Sequence, residues 1–362
     1  MRSSQITPVD AAELDRLAAA AGVTVPVEQS PAWDRMDDAV PGRRPWRRLV
    51  WRLDGVPTAV IALTHFTGRG FTFLWAKHGP VWLVEPTAEL ELALRRALVA
   101  AVRAAEPKVV FVRLHARHRA PDLRELLQTV TYDRTVVLDL GREEEEILAS
   151  MKKRGRRDVR KALRETSLTA GEETGLDRSA FSELYQLLVE TSGRDRFGIS
   201  AEEHYWTMLE ALGPEHARLF VTRREGRALA WGIVTVNDGR ATYYYAASNA
   251  EGRRAGAADL LVWHMTCALR ASGVHTFDLM GIDSDRAPQL TGVRDFKTKF
   301  SEEVTEVDGA WDVPVHPTWY GVLVAALAAK RRAVATAREL PGRARTLAGR
   351  LRGTGGAEQR DE

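Results

Sequence analysis

The segment TGVRDFKTKF, residues 291–300, sets Lys297 between Phe296 and Phe300. An ammonium group among aromatic rings is costly to desolvate unless it meets an anion or a developing negative charge. The plainer reading is a strand with both phenylalanines in the core and Lys297 and Lys299 in water. Upstream, TYYYAASN carries Tyr243, Tyr244 and Tyr245 in succession. Strict alternation would send Tyr243 and Tyr245 to one face, as pocket or as core, where phenols can orient a polar ligand. Arg194 and Arg196 precede Tyr205 and Trp206 and are cationic candidates for the same pocket. Residues 152–164, KKRGRRDVRKALR, gather eight basic groups against Asp158. Such a cluster attracts phosphate backbones or anionic lipid, or is simply a solvated helix face.

These residues need elements to hold them. RRLVWRLDGVPTAVIALTHFTG reads as strand, Asp54-Gly55 turn, strand. EPTAELELALRRALVAAVRAAE is apolar at helical spacing with Thr87 as N-cap, and KVVFVRL is a strand. Residues 217–249 give three strands turning at Glu225-Gly226 and Asp238-Gly239; a helix ending at Gly273 and the strand HTFDLMG follow. A succession of strands, then a helix, then a strand occurs in both halves, which predicts an α+β protein of two related modules. The segment between them, GREEEEILASMKKRGRRDVRKALRE, has anions first and cations after, as a helix dipole favours. Its apolar stripe is interrupted at Gly155, predicting two helices or one bent helix. We expect modules over 1–145 and 146–320, then a basic helix and tail over 321–362.

Composition narrows the chemistry. The chain has 362 residues, net charge +3 and one cysteine, so intramolecular disulfides and CxxC metal sites are excluded. His115 and His118 lie three apart without a carboxylate motif and read as exposed, so no metal is expected. There is no GxSxG elbow, Walker loop or dinucleotide fingerprint. The amino-terminal residues hold no apolar signal core, and GVLVAALAA is too short to span a bilayer, so a cytoplasmic protein is expected. RRAGAA, residues 253–258, has R-x-x-G-x-A spacing before a helix and resembles the pyrophosphate loop of acetyl-CoA-dependent N-acetyltransferases.

Taken in order, QSPAW at 29–33, LWAKHGPVW at 74–82, MKKRGRRDVRKA at 151–162, YYYAASN, FDLMGID and FKTKFSEEVTEVDGAWDVPV resemble blocks of the Fem family. These are aminoacyl-tRNA-dependent peptidyltransferases that build peptidoglycan bridges. The resemblance covers roughly residues 25–320. It implies two tandem N-acetyltransferase-like modules; the coiled-coil arm of some members has no counterpart in the tight Asn237–Arg240 connection. It implies transfer of an amino acid from aminoacyl-tRNA, a co-substrate rather than a bound cofactor, to an amine of a peptidoglycan precursor. By that resemblance Phe296 and Lys297 are the catalytic pair, with Phe296 stacking on the terminal adenosine, and Asp278, Asp283 or Asp285 accepts the amine's proton. Lys152, Lys153, Arg156, Arg157, Arg160 and Lys299 contact tRNA. Tyr205, Tyr243, Tyr245, Arg194, Arg196 and Arg35 serve the acceptor. Members that use a uridine-diphosphate-linked muramyl peptide carry a lysine just after the early tryptophan, where this chain has Met36 and Asp37. That departure favours a lipid-linked precursor, with the basic tail in peripheral contact with anionic membrane. A secondary-metabolite amine as acceptor, and a CoA-dependent N-acyltransferase, are the competing expectations.

Overall fold

The computed structural model of the protein describes residues 3–68, 70–127, 131–195 and 198–339. The chain begins with β1 (Ser4–Val9), α1 (Ala11–Ala20) and α2 (Pro31–Ala39). A meander follows: β2 (Arg43–Leu53), β3 (Val56–Gly68), β4 (Phe71–Trp75) and the short β5 (Val81–Trp82). Asp54 and Gly55 turn the β2–β3 hairpin at φ 52° and 82°, the primed-turn geometry that matches strand twist. Next comes α3 (Ala88–Ala105), capped by Thr87, whose hydroxyl accepts from the Leu90 N–H at 3.3 Å. It buries Leu94, Leu98 and Val102 and leads into β6 (Val109–Ala116).

The second half holds β7 (Arg134–Thr135), β8 (Val137–Asp139), α4 (Glu144–Ser150), α5 (Lys153–Leu163), β9 (Leu168–Glu172), α6 (Arg178–Asp195) and α7 (Glu202–His216). Two hairpins then link β10 (Ala217–Arg224), β11 (Arg227–Asn237) and β12 (Arg240–Ser248), again through residue pairs at positive φ, Glu225-Gly226 and Asp238-Gly239. The chain continues through α8 (Ala250–Ala255), α9 (Ala257–Ala271), β13 (Thr276–Asp278), α10 (Thr291–Lys297), β14 (Thr305–Glu306), β15 (Gly309–Pro314) and α11 (Pro317–Glu339).

Two main sheets result. The first has the order β1-β2-β3-β4-β6-β15, with β5 on β3; the second has β8-β13-β12-β11-β10-β9. Each sheet borrows a strand from across the chain. β8 precedes the expected boundary at 145/146 yet pairs with β13 of the second sheet. β15 lies inside the expected second module yet pairs with β6 and completes the first. The return is fastened by buried Arg113, which donates to the Asp312 carboxylate at 2.7 and 3.1 Å, and by Tyr320, whose hydroxyl donates to Asp312 at 3.2 Å. α2 also crosses over: Trp33 and Met36 bury in one cluster with Phe181, Tyr205, Met208 and Trp231 of the second half.

Two local expectations are corrected. The linker does form two helices, but the break falls at Met151–Lys152, not at Gly155. Gly155 lies inside α5 because a Cβ there would sit 2.0 Å from the Lys299 carbonyl oxygen. TGVRDFKTKF is not a strand but α10 followed by a single 3-10 turn over Thr298–Phe300. Phe296 and Phe300 are four apart, a spacing that keeps one face in both a strand and a helix, so the apolar pattern could not decide between them. Helical geometry sends Lys297 and Lys299 in different directions.

Candidate active site

β12 and β13 run parallel but pair only over Arg240–Thr242 with Thr276–Asp278. β12 continues to Ser248, while the other strand peels away after Asp278. The departure is made by Met280, a non-glycine residue at φ 61°, a conformation that costs of order 1 kcal/mol or more and tends to occur at functional sites. Its N–H donates to the Asp278 carboxylate at 2.7 Å, and Thr135 donates its hydroxyl to the same oxygen. Gly281 follows with Tyr132 packed so close that a Cβ would fall 2.4 Å from the ring.

The turn aims two carbonyls at Lys297. Its ammonium donates to Met280 O at 3.2 Å and to Gly281 O at 2.9 Å. Burial pushes its pKa down to about 8, opposed by the charge of Asp278. The same burial pushes the Asp278 carboxyl up, against hydrogen bonds from Thr135 and Met280 and the charges of Arg240 and Lys297. Of the three candidate aspartates, Asp278 is thus the one beside Lys297. Asp283 is paired with Arg294 at 2.9 Å, and Asp285 is exposed. A cavity of about 50 Å³ touches Asp278, Tyr132, Glu28, His78 and Arg240. A surface recess of about 400 Å³ shares His78 and Arg240 with it, at the seam between the two halves.

The tyrosine triplet does not alternate. Ile233 pairs with Tyr245 and Val234 with Tyr243, so Tyr244 is the extra residue of a β-bulge. Tyr243 therefore turns into the core against Phe277 and is not part of a pocket. Tyr244 and Tyr245 both face α2 and α7. Tyr245 meets Tyr205 edge-on at 4.7 Å and reaches His204 Nε2 at 3.2 Å. Tyr205 itself is buried, its hydroxyl accepting from the Ser200 N–H at 3.1 Å.

Beside them lies a second enclosed ammonium that sequence reasoning missed. Lys77 sits 4.7 Å from the ring centres of both Trp33 and Tyr244, and 5.8 Å from that of Trp75. It also contacts the Tyr244 hydroxyl. Burial pushes its pKa down, while Glu28 and Asp37 oppose the shift. The pattern that singles out Lys297, a lysine flanked by aromatics, recurs at Lys77 in LWAKHGPVW and was the signal available. His115, expected to be exposed, is instead stacked on His78 at 4.8 Å and donates through Nδ1 to the Asp308 carbonyl. Burial pushes both imidazoles to a pKa of about 3.

Several residues expected at the substrates are engaged elsewhere. Arg35 donates to the Ala211 and Leu212 carbonyls at 2.9 and 3.3 Å, tying α2 to α7. Arg194 donates to Ser248 O at 2.9 Å, at the end of β12. Arg196 lies outside the described residues. Lys299 is buried in an ion pair with Asp259, with Asp158 at 3.7 Å, so it is not on the surface that tRNA could reach. Phe296 packs edge-on to Phe300 at 5.3 Å, and the Lys299 ammonium sits 4.8 Å from its ring centre. Arg156 caps α4 by donating to Ala149 O and Met151 O. Lys152 is the half-buried residue that precedes α5. Lys153, Arg157 and Arg160 do face solvent and, with Arg154 and Arg164, line an open trough of about 730 Å³.

Arg253, Gly256 and Ala258, the R-x-x-G-x-A residues, span the junction of α8 and α9. α8 runs into α9 through the single left-handed residue Gly256. Asp259 puts a carboxylate in the first turn, and Ala162 of α5 packs against Gly256.

Residues 149–298 match the model of the acetyltransferase (GNAT) domain family. No curated protein matches the chain. Among solved structures, FemX superposes with a TM-score of 0.68 at 16% identity, covering 88% of this chain and 100% of that one. The C-terminal domain of "Putative Lysylphosphatidylglycerol Synthetase from Agrobacterium fabrum" gives 0.52 at 17% identity, covering 88% and 96%. The tandem GNAT protein from the clavulanic acid biosynthesis pathway gives 0.52 at 13%, covering 87% and 99%. With the two sheets and their shared connectivity, these likenesses establish an α+β fold of two tandem GNAT-like modules.

Proposed function

We propose that this protein is an aminoacyltransferase that moves an amino acid from its ribose ester on tRNA to an amine, forming an amide. The observation that carries the reading is the Lys297 ammonium, held inward by two carbonyls beside Asp278 where β12 and β13 part. An ammonium has three N–H groups. Two are occupied, which leaves one for a substrate oxygen.

In the reaction a neutral amine attacks the ester carbonyl and a tetrahedral oxyanion forms. The C–O bond to ribose then breaks, and the proton lost by nitrogen is balanced by the one gained by the ribose oxygen. Lys297 supplies positive charge to the oxyanion or a proton to the leaving oxygen. Asp278, with its carboxyl raised by burial, takes the amine's proton. Tyr205, Tyr245 and His204 line the acceptor side, and the proton that Asp278 takes from nitrogen balances the one that Lys297 gives to the ribose oxygen, so none is released overall.

Charged tRNA as donor is supported by where α5 docks. Lys152 N–H donates to Lys299 O at 3.1 Å, and Gly155 packs on the same carbonyl. The basic trough is thus built directly onto the segment that carries Lys297. A peptidoglycan precursor, lipid-linked, is the acceptor we favour; the likeness to FemX supports it. The test is transfer of a labelled amino acid from a mixed pool of charged tRNAs to lipid-linked precursor, with mass analysis of the product. Loss of transfer with ribonuclease is expected. Transfer supported by acetyl-CoA in the absence of tRNA would overturn the reading.

A further inference from the structure

α11 is packed on one face only. Tyr320, Leu323 and Leu327 cluster with Phe111 and Leu127 of the first module, and Arg331 donates to Leu127 O at 3.0 Å. The opposite face follows Trp319, Val322, Ala326, Ala329 and Ala333 at steps of three and four, and it lies in water. Trp319 is 66% exposed and Val322 53%. Among the described residues, Trp319 is the only aromatic in the set of exposed large hydrophobics. Residues 317–329 carry no charged side chain, and the chain then turns strongly basic. From Lys330 to Arg352 there are eight lysines and arginines against Glu339 alone.

An exposed apolar helix face could be covered by a second copy of the chain. A second copy, however, brings the same basic sequence and no anion for it to meet. An anionic bilayer satisfies both features at once: the indole and valine enter the headgroup boundary, and the cations meet lipid phosphates. No described helix is long and apolar enough to cross a membrane, so α11 would lie along the surface. We propose that α11 docks the protein on an anionic phospholipid bilayer through Trp319 and Val322, with Lys330 at the phosphates. This docking does not depend on the reaction assigned above.

The test uses the full chain and two kinds of vesicle, phosphatidylcholine alone and phosphatidylcholine with phosphatidylglycerol. Sedimentation with the anionic vesicles only, weakening as salt rises, is expected. Trp319→Glu with Val322→Glu should lower the vesicle affinity by roughly tenfold or more, with an unchanged circular dichroism spectrum because both side chains are exposed. Trp319→Phe should retain most of the binding. Equal sedimentation with both vesicles, or undiminished binding by the double variant, would overturn the proposal. So would a double variant whose only change is conversion of a dimer to a monomer.

Discussion

Lys297→Met removes the ammonium while keeping the length of the side chain. Two of its N–H groups bond carbonyls at 3.2 and 2.9 Å, and the third is the donor assigned to the reacting oxygen. Loss of one preorganised donor at an oxyanion costs about 3–4 kcal/mol, or ~10²–10³ in kcat. Stability should move much less. Two charge-assisted bonds of about 1.5–3 kcal/mol each are lost, but so is a desolvation cost of several kcal/mol for the ammonium. The net change in unfolding free energy should stay within about 2 kcal/mol.

The pH profile separates a chemical role from a structural one. With its pKa at about 8, Lys297 loses its charge as pH rises through that value, so wild-type transfer should fall on an alkaline limb there. Lys297→Arg, which keeps its charge, should move the limb upward, and Lys297→Met should lack it. The stability linkage has its own sign. The folded pKa lies below the unfolded value of ~10.4, so between about 8 and 10.4 the unfolded chain binds more protons. Wild type should therefore gain stability relative to Lys297→Met across that window. Single-turnover transfer and urea unfolding, each followed against pH, read both effects. A variant with kcat within about threefold of wild type, or with the alkaline limb intact, would refute the assignment.

Arg157→Glu with Arg160→Glu should weaken tRNA binding and reduce the slope of log affinity against log salt by about one for each phosphate left unneutralised; filter binding at several salt concentrations measures it. Gly155→Ala forces a methyl to 2.0 Å from the Lys299 carbonyl oxygen, and should cost about 1–3 kcal/mol or more in urea denaturation. Buried Asp37, beside Thr64 and Arg43, has its pKa pushed up to about 6 by burial. The folded form therefore holds its proton more tightly than the unfolded chain. That contribution is fully present below about pH 4 and is lost as pH rises through about 6. Relative to Asp37→Asn, wild type should gain stability of the order of 3 kcal/mol over that fall in pH, as read by thermal unfolding in a pH series.

The two modules were legible because their signals are local. Asp54-Gly55, Glu225-Gly226 and Asp238-Gly239 announce hairpins, and Thr87 announces a helix. Lys297 was legible because a cation among phenylalanines needs a partner, and the turn at Met280 supplies one. What could not be read depends on neighbours distant in sequence or on a phase shift. One inserted residue at Tyr244 reverses the facing of the triplet, and no spacing rule anticipates a bulge. Lys299 looks like a surface cation until Asp259, forty positions earlier, is seen against it. Arg35 and Arg156 look free until the carbonyl ends of α7 and α4 are placed beside them. The strand exchange of β8 and β15 is invisible in the same way, because each strand's periodicity is satisfied by either sheet.

That exchange constrains how the molecule is made and how it can be cut. During synthesis the first sheet lacks an edge until residues 309–314 have left the ribosome, so β6 waits with unpaired backbone through the emergence of almost the entire second half. Such an open edge invites intermolecular pairing, and a fragment ending before Gly309 should be prone to aggregate. The halves are therefore not interchangeable cassettes: a graft or deletion that respects the apparent midpoint of the chain leaves both pieces short of a strand.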